Sequence, residues 1–249
     1  MPVTRSILRP VTGGIVGASV GLGGGAAAST LLDDLVSWWS LDEASGSRAD
    51  SHGSNTLTDS NTVTQATGKV STAGQFTKVN SEHLTVPATH GLHGGDRDIA
   101  IVLWVYLDSD TTEGLVRCGT GGVAASHDYI LFHVGGATKR FEWDVAEGSS
   151  FNVLHSDNFG NTALATWYFV VCEYNASTNT SSIQVNNGTA DTLGSITSPN
   201  LIGNEFDLGR YHSSWHDGRL DEVAFWSRLL TADEKTELYN SGLGIAYPG

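Results

Sequence analysis

GRLDEVAFWSRLLTADEKTELYNSG, residues 218–242, changes its hydrophobic period part-way along. The first half supplies β-branched and aromatic bulk at Leu220, Val223, Phe225 and Trp226, as a half-buried pleated surface requires. The second half predicts a short helix. Thr231 is placed as its N-cap, Glu234 three residues on as the capping-box partner, and Leu238 and Tyr239 form a brief apolar stripe. Gly242 is placed to end the helix in a left-handed conformation. A strand that feeds one short helix, late in a chain otherwise rich in strand signals, predicts an all-β domain closed by a single helical element.

Working back from that stretch, the strand signals continue. Residues 98–107, DIAIVLWVYL, form the most apolar run, and its lack of alternation predicts burial on both faces. TWYFVVCEY (166–174) pairs with 182–185 across a turn at 175–180, and Asn186-Asn187-Gly188 is a hairpin-turn signal. Shorter strands are expected at 115–118, 129–134, 140–145 and 206–210, and a hairpin around 79–82 within GQFTKVNSEHLTVPA (74–88). In the first strand Val36, Trp38 and Leu41 do not share one alternation, which predicts a bulge near Trp39 and Ser40.

Four pieces carry a family resemblance. They are G-R-L-D-E-V-x-x-W-x-R-x-L-T-x-x-E at 218–234, the aromatic pair before L-D-E with D-x-x-G-x-N after it at 38–55, F-x-x-x-x-S-x-x-L-x-V-P at 76–87, and W-Y-x-V-x-x-x-Y at 167–174. These resemble laminin-G-like domains of the concanavalin A-like lectin/glucanase superfamily, in order over about residues 35–243. The resemblance implies a jelly-roll β-sandwich with Trp104 in its core. The expected organisation is an extended Gly/Ala-rich N-terminal arm at 1–32 and the jelly roll at 33–249.

Composition narrows the function classes. Thirty glycines and seven tryptophans in 249 residues suit strands and turns. With 27 Asp plus Glu against 13 Lys plus Arg, the net charge is −14, which argues against a nucleic-acid partner, since phosphate binding needs clustered cations. The two cysteines, Cys118 and Cys172, fit no metal-finger spacing and are read as buried thiols or one disulfide. No run approaches the roughly 20 apolar residues of a membrane span.

The first 32 residues hold Arg5 and Arg9 and no acid, in two half-similar pieces, Pro2-Val3-Thr4-Arg5 and Arg9-Pro10-Val11-Thr12. Their composition resembles segments that open some phage tail and virion proteins. That resemblance implies an assembly arm, virion-protein partners, an oligomeric state and a location on the virion surface. The alternative is a secretory leader ending near Ala26-Ala27-Ala28, and hence a secreted carbohydrate-binding protein; its middle is broken by glycines.

Three constellations offer chemistry. Glu142, Asp144 and Glu147 fit E-x-D-x-x-E, a pattern similar to the bulged active-site strand of family-16 glycoside hydrolases. Glu142 and Asp144 share a face of a strand, and a one-residue bulge would return Glu147 to it, giving a nucleophile and an acid/base. Acids on the wet side of an ordinary strand match the same pattern, and the laminin-G-like framing favours that reading, so no enzyme is the main expectation. The second constellation is the loop with Tyr211, His212, Trp215 and His216, where aromatic faces and polar tips suit a cell-surface glycan. For the third, the family resemblance implies a structural Ca²⁺ on Asp50, Asn55 and Asp221, all hard oxygen donors; an ordinary Asx turn explains the first two equally well. None of the nine histidines falls in H-E-x-x-H.

Overall fold

The computed structural model describes residues 30–87 and 91–249. The expectations for residues 1–29, Arg5 and Arg9 included, lie outside the described residues. Strands β1 (Leu35–Trp39), β2 (Thr58–Ser60), β3 (Thr64–Thr67), β4 (Thr72–Phe76) and β5 (His83–Val86) come first. The central strands are β6 (Ile99–Leu107), β7 (Glu113–Gly119), β8 (His127–Val134), β9 (Arg140–Glu147), β10 (Ser150–His155) and β11 (Trp167–Asn175). Next come β12 (Thr180–Val185), β13 (Asp191–Gly194) and β14 (Phe206–Leu208). A small hairpin of β15 (Arg210–Tyr211) and β16 (Ser214–Trp215), then β17 (Gly218–Trp226), lead to helix α1 (Ala232–Tyr239).

One antiparallel sheet runs β13-β12-β11-β6-β17-β4-β3, with β1 added beside β17; the other runs β10-β9-β8-β7-β14-β5-β2. Their inner faces share a core in which Trp39, Phe76, Trp143, Phe206 and Phe225 are fully buried. The result is a jelly-roll β-sandwich. A second apolar layer lies on the outer face of the eight-stranded sheet, where Trp38, Trp104, Phe169, Trp226, Leu230 and Leu238 cluster with Leu31. Trp104 is therefore buried, but in this outer layer rather than between the sheets. Burial of each such side chain is worth about 1.5–3 kcal/mol.

The helix starts as its sequence dictates. Thr231 Oγ1 accepts from Glu234 N at 3.2 Å, and Thr231 N donates to Glu234 Oε2 at 2.8 Å. Its end differs from expectation. Asn240, at φ 46°, takes the left-handed position, its N–H bonding Thr236 O, and Gly242 follows a further 3-10 turn on. Asn tolerates that conformation, so a glycine was not needed.

Two other expectations are corrected. β4 pairs with β3 and β17, whereas β5 pairs with β2 and β14, so residues 77–82 cross from one sheet to the other and form no hairpin. The β1 bulge falls between Leu35 and Ser37, not near Ser40. By contrast Asn186 and Asn187, at φ 51° and 54°, make the expected tight turn between β12 and β13. Cys118 and Cys172 are both buried and free.

Candidate functional site

Cross-strand register lays one row of side chains over the outer face of the seven-stranded sheet. Thr58 faces Thr85, Thr85 faces Asp207, and Asp207 faces Arg117. Arg117 in turn faces Ile130, Ile130 faces Asp144, and Asp144 faces Val153. Side chains alternate along a strand, so neighbours such as Leu84, Val116, Leu131 and Trp143 enter the core while this row points away from it. Charged residues at the outward positions of apolar strands are thereby brought side by side.

Arg117 Nε donates to Asp207 Oδ2 at 2.7 Å, and Arg210 Nη2 donates to Asp207 Oδ2 at 3.1 Å and to Glu205 Oε2 at 3.0 Å. The β15–β16 hairpin then folds over the row. It crosses β7 at Gly114, where a Cβ would lie 2.1 Å from Tyr211 N, a contact only glycine avoids. Tyr211 stands edge-on to Phe132, ring centres 4.6 Å apart, and 5.5 Å from the His127 ring.

Six side-chain atoms around this hairpin have no protein partner: Thr85 Oγ1, Asp207 Oδ1, Arg210 Nε, His127 Nε2, Asp144 Oδ1 and Trp215 Nε1. A buried polar atom left unbonded costs about 1–3 kcal/mol, so these positions call for water or a ligand hydroxyl. Burial, reinforced by the neighbouring Glu142, pushes Asp144 up to about 8, and burial followed by the nearby Asp144 raises Tyr211. Beside Thr58, at one end of the row, a cleft of about 390 Å³ is lined by Asn55, Thr58, Val86 and Pro87 among others.

The structure sorts the sequence candidates. Glu142 and Asp144 do share a face, and they share a hydrogen bond with each other, while Glu142 Oε2 lies 2.7 Å from His155 Nε2. The bulge required to bring Glu147 alongside is missing: β9 pairs in unbroken register with β8 and with β10. Glu147 instead accepts from Thr197 N and Ser198 N at 3.1 and 2.8 Å, bonds that hold its carboxyl below the usual range against the cost of desolvation. The two glutamates expected as nucleophile and acid/base are thus held by different partners, Glu142 by His155 and Glu147 by Thr197 and Ser198.

Tyr211, His212 and Trp215 stand together at the hairpin, His212 exposed and the other two half-buried. His216 does not join them. It is fully buried, its Nδ1 2.8 Å from Glu113 Oε2 and its ring against Phe76.

The calcium set is divided as well. Both Asp50 oxygens accept backbone N–H groups, Asn55 Nδ2 donates to Ser37 Oγ at 2.7 Å, and no hydrogen bond joins either to Asp221 among the described residues. Asp221 Oδ2 accepts from Lys69 N and Val70 N at 2.6 and 2.9 Å. Its Oδ1, and Oε1 of the adjacent Glu222, lack partners. Of the three residues expected to hold Ca²⁺, Asp221 is the one with an unbonded buried oxygen.

Two features escaped the sequence reading. One is the Arg117–Asp207–Arg210 network, whose signal was a charge at an outward position in L-V-R-C and in F-D-L. The other is a row on the opposite sheet: Trp167 faces Tyr106, Tyr106 faces Arg219, and Arg219 faces Gln75. Arg219 stacks 4.3 Å over the Tyr106 ring and bonds Gln75 Oε1 at 2.9 Å.

A family model described as the Concanavalin A-like lectin/glucanases superfamily matches residues 76–234. The chain belongs to that superfamily. No curated protein sequence matches this lectin-like jelly roll. Among solved structures it is similar to domain 4 of AbnA, a GH43 extracellular arabinanase from Geobacillus stearothermophilus determined in complex with arabinotriose. The TM-score is 0.63 at 16% identity, over 85% of this chain and 98% of that one. It is also similar to the binding domain of Paraclostridial Mosquitocidal Protein 1, with TM-score 0.65 at 15% identity over 85% of this chain and 53% of that one. The sialidase of Trypanosoma rangeli gives 0.59 at 16% identity, over 89% of this chain and 35% of that one. At such identities the likeness is one of fold.

Proposed function

We propose that this protein is a non-catalytic glycan-binding module whose site is the outer face of the seven-stranded sheet at the β15–β16 hairpin. The observation that carries the reading is the placing of two half-buried aromatic rings, Tyr211 and Trp215, beside the polar side chains of Arg210 and His212 on one short hairpin. Sugars present apolar C–H faces to rings and hydroxyls to just such atoms. Asp144, pushed up to about 8 by burial and by Glu142, keeps at neutral pH a proton that it shares with Glu142 beneath the hairpin. On the opposite sheet Arg219 and Gln75 already satisfy one another, so a ligand gains less there. The fold likeness to AbnA domain 4, determined with arabinotriose, supports the reading.

The finer reading, display on a virion surface with residues 1–32 joining neighbouring copies or other virion proteins, is supported by the two half-similar pieces P-V-T-R and R-P-V-T alone. Full-length mass together with co-sedimentation with particles is the expected result. Free protein shortened by its first 28 or so residues would replace the virion with secretion.

For glycan binding, the full chain is screened on an oligosaccharide array and the best ligand is titrated by calorimetry. Trp215→Ala is expected to weaken binding roughly tenfold or more, by removing one good contact, while Trp167→Ala leaves it unchanged. Binding lost in Trp167→Ala and kept in Trp215→Ala, or no glycan bound at all, overturns the reading.

A further inference from the structure

The ends of β7 and β8 hold a group of side chains that the glycan site does not use. Register slips between Cys118 and Gly119, so β8 carries one extra residue there, and Asp128 turns inward beside Tyr129. Cys118 and Asp128 are both buried, at 0% and 1% exposure. The Asp128 carboxylate is fixed from two loops: Ile202 N donates to Oδ1 at 2.6 Å and Gly94 N to Oδ2 at 3.0 Å. The second of those loops also delivers His93, whose carbonyl accepts from Arg97 Nε at 3.0 Å. One nitrogen, one sulfur and one oxygen, from His93, Cys118 and Asp128, all lie within 4.8 Å of one another.

We propose that His93, Cys118 and Asp128 form a binding site for a thiophilic divalent cation, Zn²⁺ by preference. Bonds of about 2.3 Å to sulfur and about 2.0 Å to oxygen, opened to a tetrahedral angle, set those two atoms about 3.5 Å apart. Cys118 Sγ donates to Asp128 Oδ2 across 3.5 Å, so the two atoms already stand at that separation, and a metal ion would take the place of the thiol proton between them. The backbone N–H groups on Asp128 hold the carboxylate in place, which is how outer contacts prepare a metal ligand. A thiolate and an imidazole in one donor set select against Ca²⁺ and Mg²⁺, which take oxygen. A disulfide is not the competing use of this thiol, since Cys172 is also free and buried. Three protein donors leave a fourth position for water or an outside ligand. Binding exchanges the Cys118 proton for the metal, so affinity falls as pH is lowered.

The test is a Co²⁺ titration of the untagged full-length protein after dialysis against chelator, followed by competition with Zn²⁺. One equivalent is expected to bind with a thiolate-to-cobalt charge-transfer band that Zn²⁺ abolishes. Cys172→Ser keeps the band, Cys118→Ser removes it, and His93→Ala weakens binding roughly tenfold or more. Should Cys118→Ser fail to fold, Cys172→Ser and His93→Ala decide the matter by themselves. Absence of the band in the wild-type protein, or a band lost in Cys172→Ser and unmoved in His93→Ala, overturns the proposal.

Discussion

At Asp50 one carboxylate gathers backbone donors from both sides of a turn: Trp38 N, His52 N and Gly53 N reach Oδ1 at 3.0, 3.1 and 2.9 Å, and Asn55 N reaches Oδ2 at 3.0 Å. The D-x-x-G-x-N spelling that suggests a cation site thus also serves as a turn in which both carboxylate oxygens accept from the backbone. Removing the side chain strands several partly buried N–H groups, at about 1–3 kcal/mol for each that water cannot reach. Asp50→Ala is accordingly expected to lower stability by about 2–4 kcal/mol. The loss should be the same in chelator and in millimolar Ca²⁺, as read by chemical denaturation. A loss confined to the Ca²⁺ sample would restore Asp50 as a metal ligand. The sequence showed which residues of this loop carry oxygen; it could not show which backbone N–H groups those oxygens accept from. The same blindness applies to His216, a polar residue in a polar loop whose burial against Glu113 depends on a strand about a hundred positions earlier.

Helix α1 was legible because everything that specifies it is local. Thr231 and Glu234 close the capping box, and Glu234 reaches outward to Arg228 Nη2 at 2.7 Å, tying the helix start to the end of β17. Thr231→Ala is expected to cost about 1 kcal/mol, a fall of roughly 2–4 °C in Tm for a chain of this size. Glu234→Gln should cost more, because it loosens the Arg228 pair as well. That second loss has a pH signature. The Arg228 bond holds Glu234 down to about 2, so its contribution is present above the ordinary carboxylate range and is lost as pH falls towards 2. Wild type and Glu234→Gln should therefore converge in acid melts; a constant gap would disprove the linkage. Elements set by distant partners were less legible. Residues 74–88 look like a hairpin from their turn signals, yet β17 claims β4 and β14 claims β5, so the chain switches sheets. The outward charges Arg117 and Asp207 were visible as single letters, but their meeting rests on the β7–β14 pairing, which joins residues about ninety positions apart.

On the scale of the whole molecule, buried carboxyls should make the sandwich more stable in mild acid than in mild base. Burial pushes Asp144 up to about 8, Asp221 to about 7 and Glu222 to about 8, where unfolded carboxyls titrate near 4. Below about pH 4 both states hold these protons, so the groups add no pH dependence. Between about 4 and 8 the native state holds protons that the unfolded chain has released, so stability falls as pH rises. Above about 8 both states are ionised and the fall levels off. Each such group contributes a slope of up to about 1.4 kcal/mol per pH unit inside that window. A net charge of −14 pulls in the same direction through self-repulsion, but that part is spread over the surface and is screened by salt, whereas buried groups are not. Thermal melts in chelator from pH 5 to pH 8 are thus expected to show Tm declining, with the decline persisting in 0.5 M salt (about 4 Å screening length). Asp144→Asn and Glu222→Gln, which cannot ionise, should each flatten the profile. A decline that salt abolishes and neither substitution alters would assign the effect to surface charge and leave the buried carboxyls without a role in it.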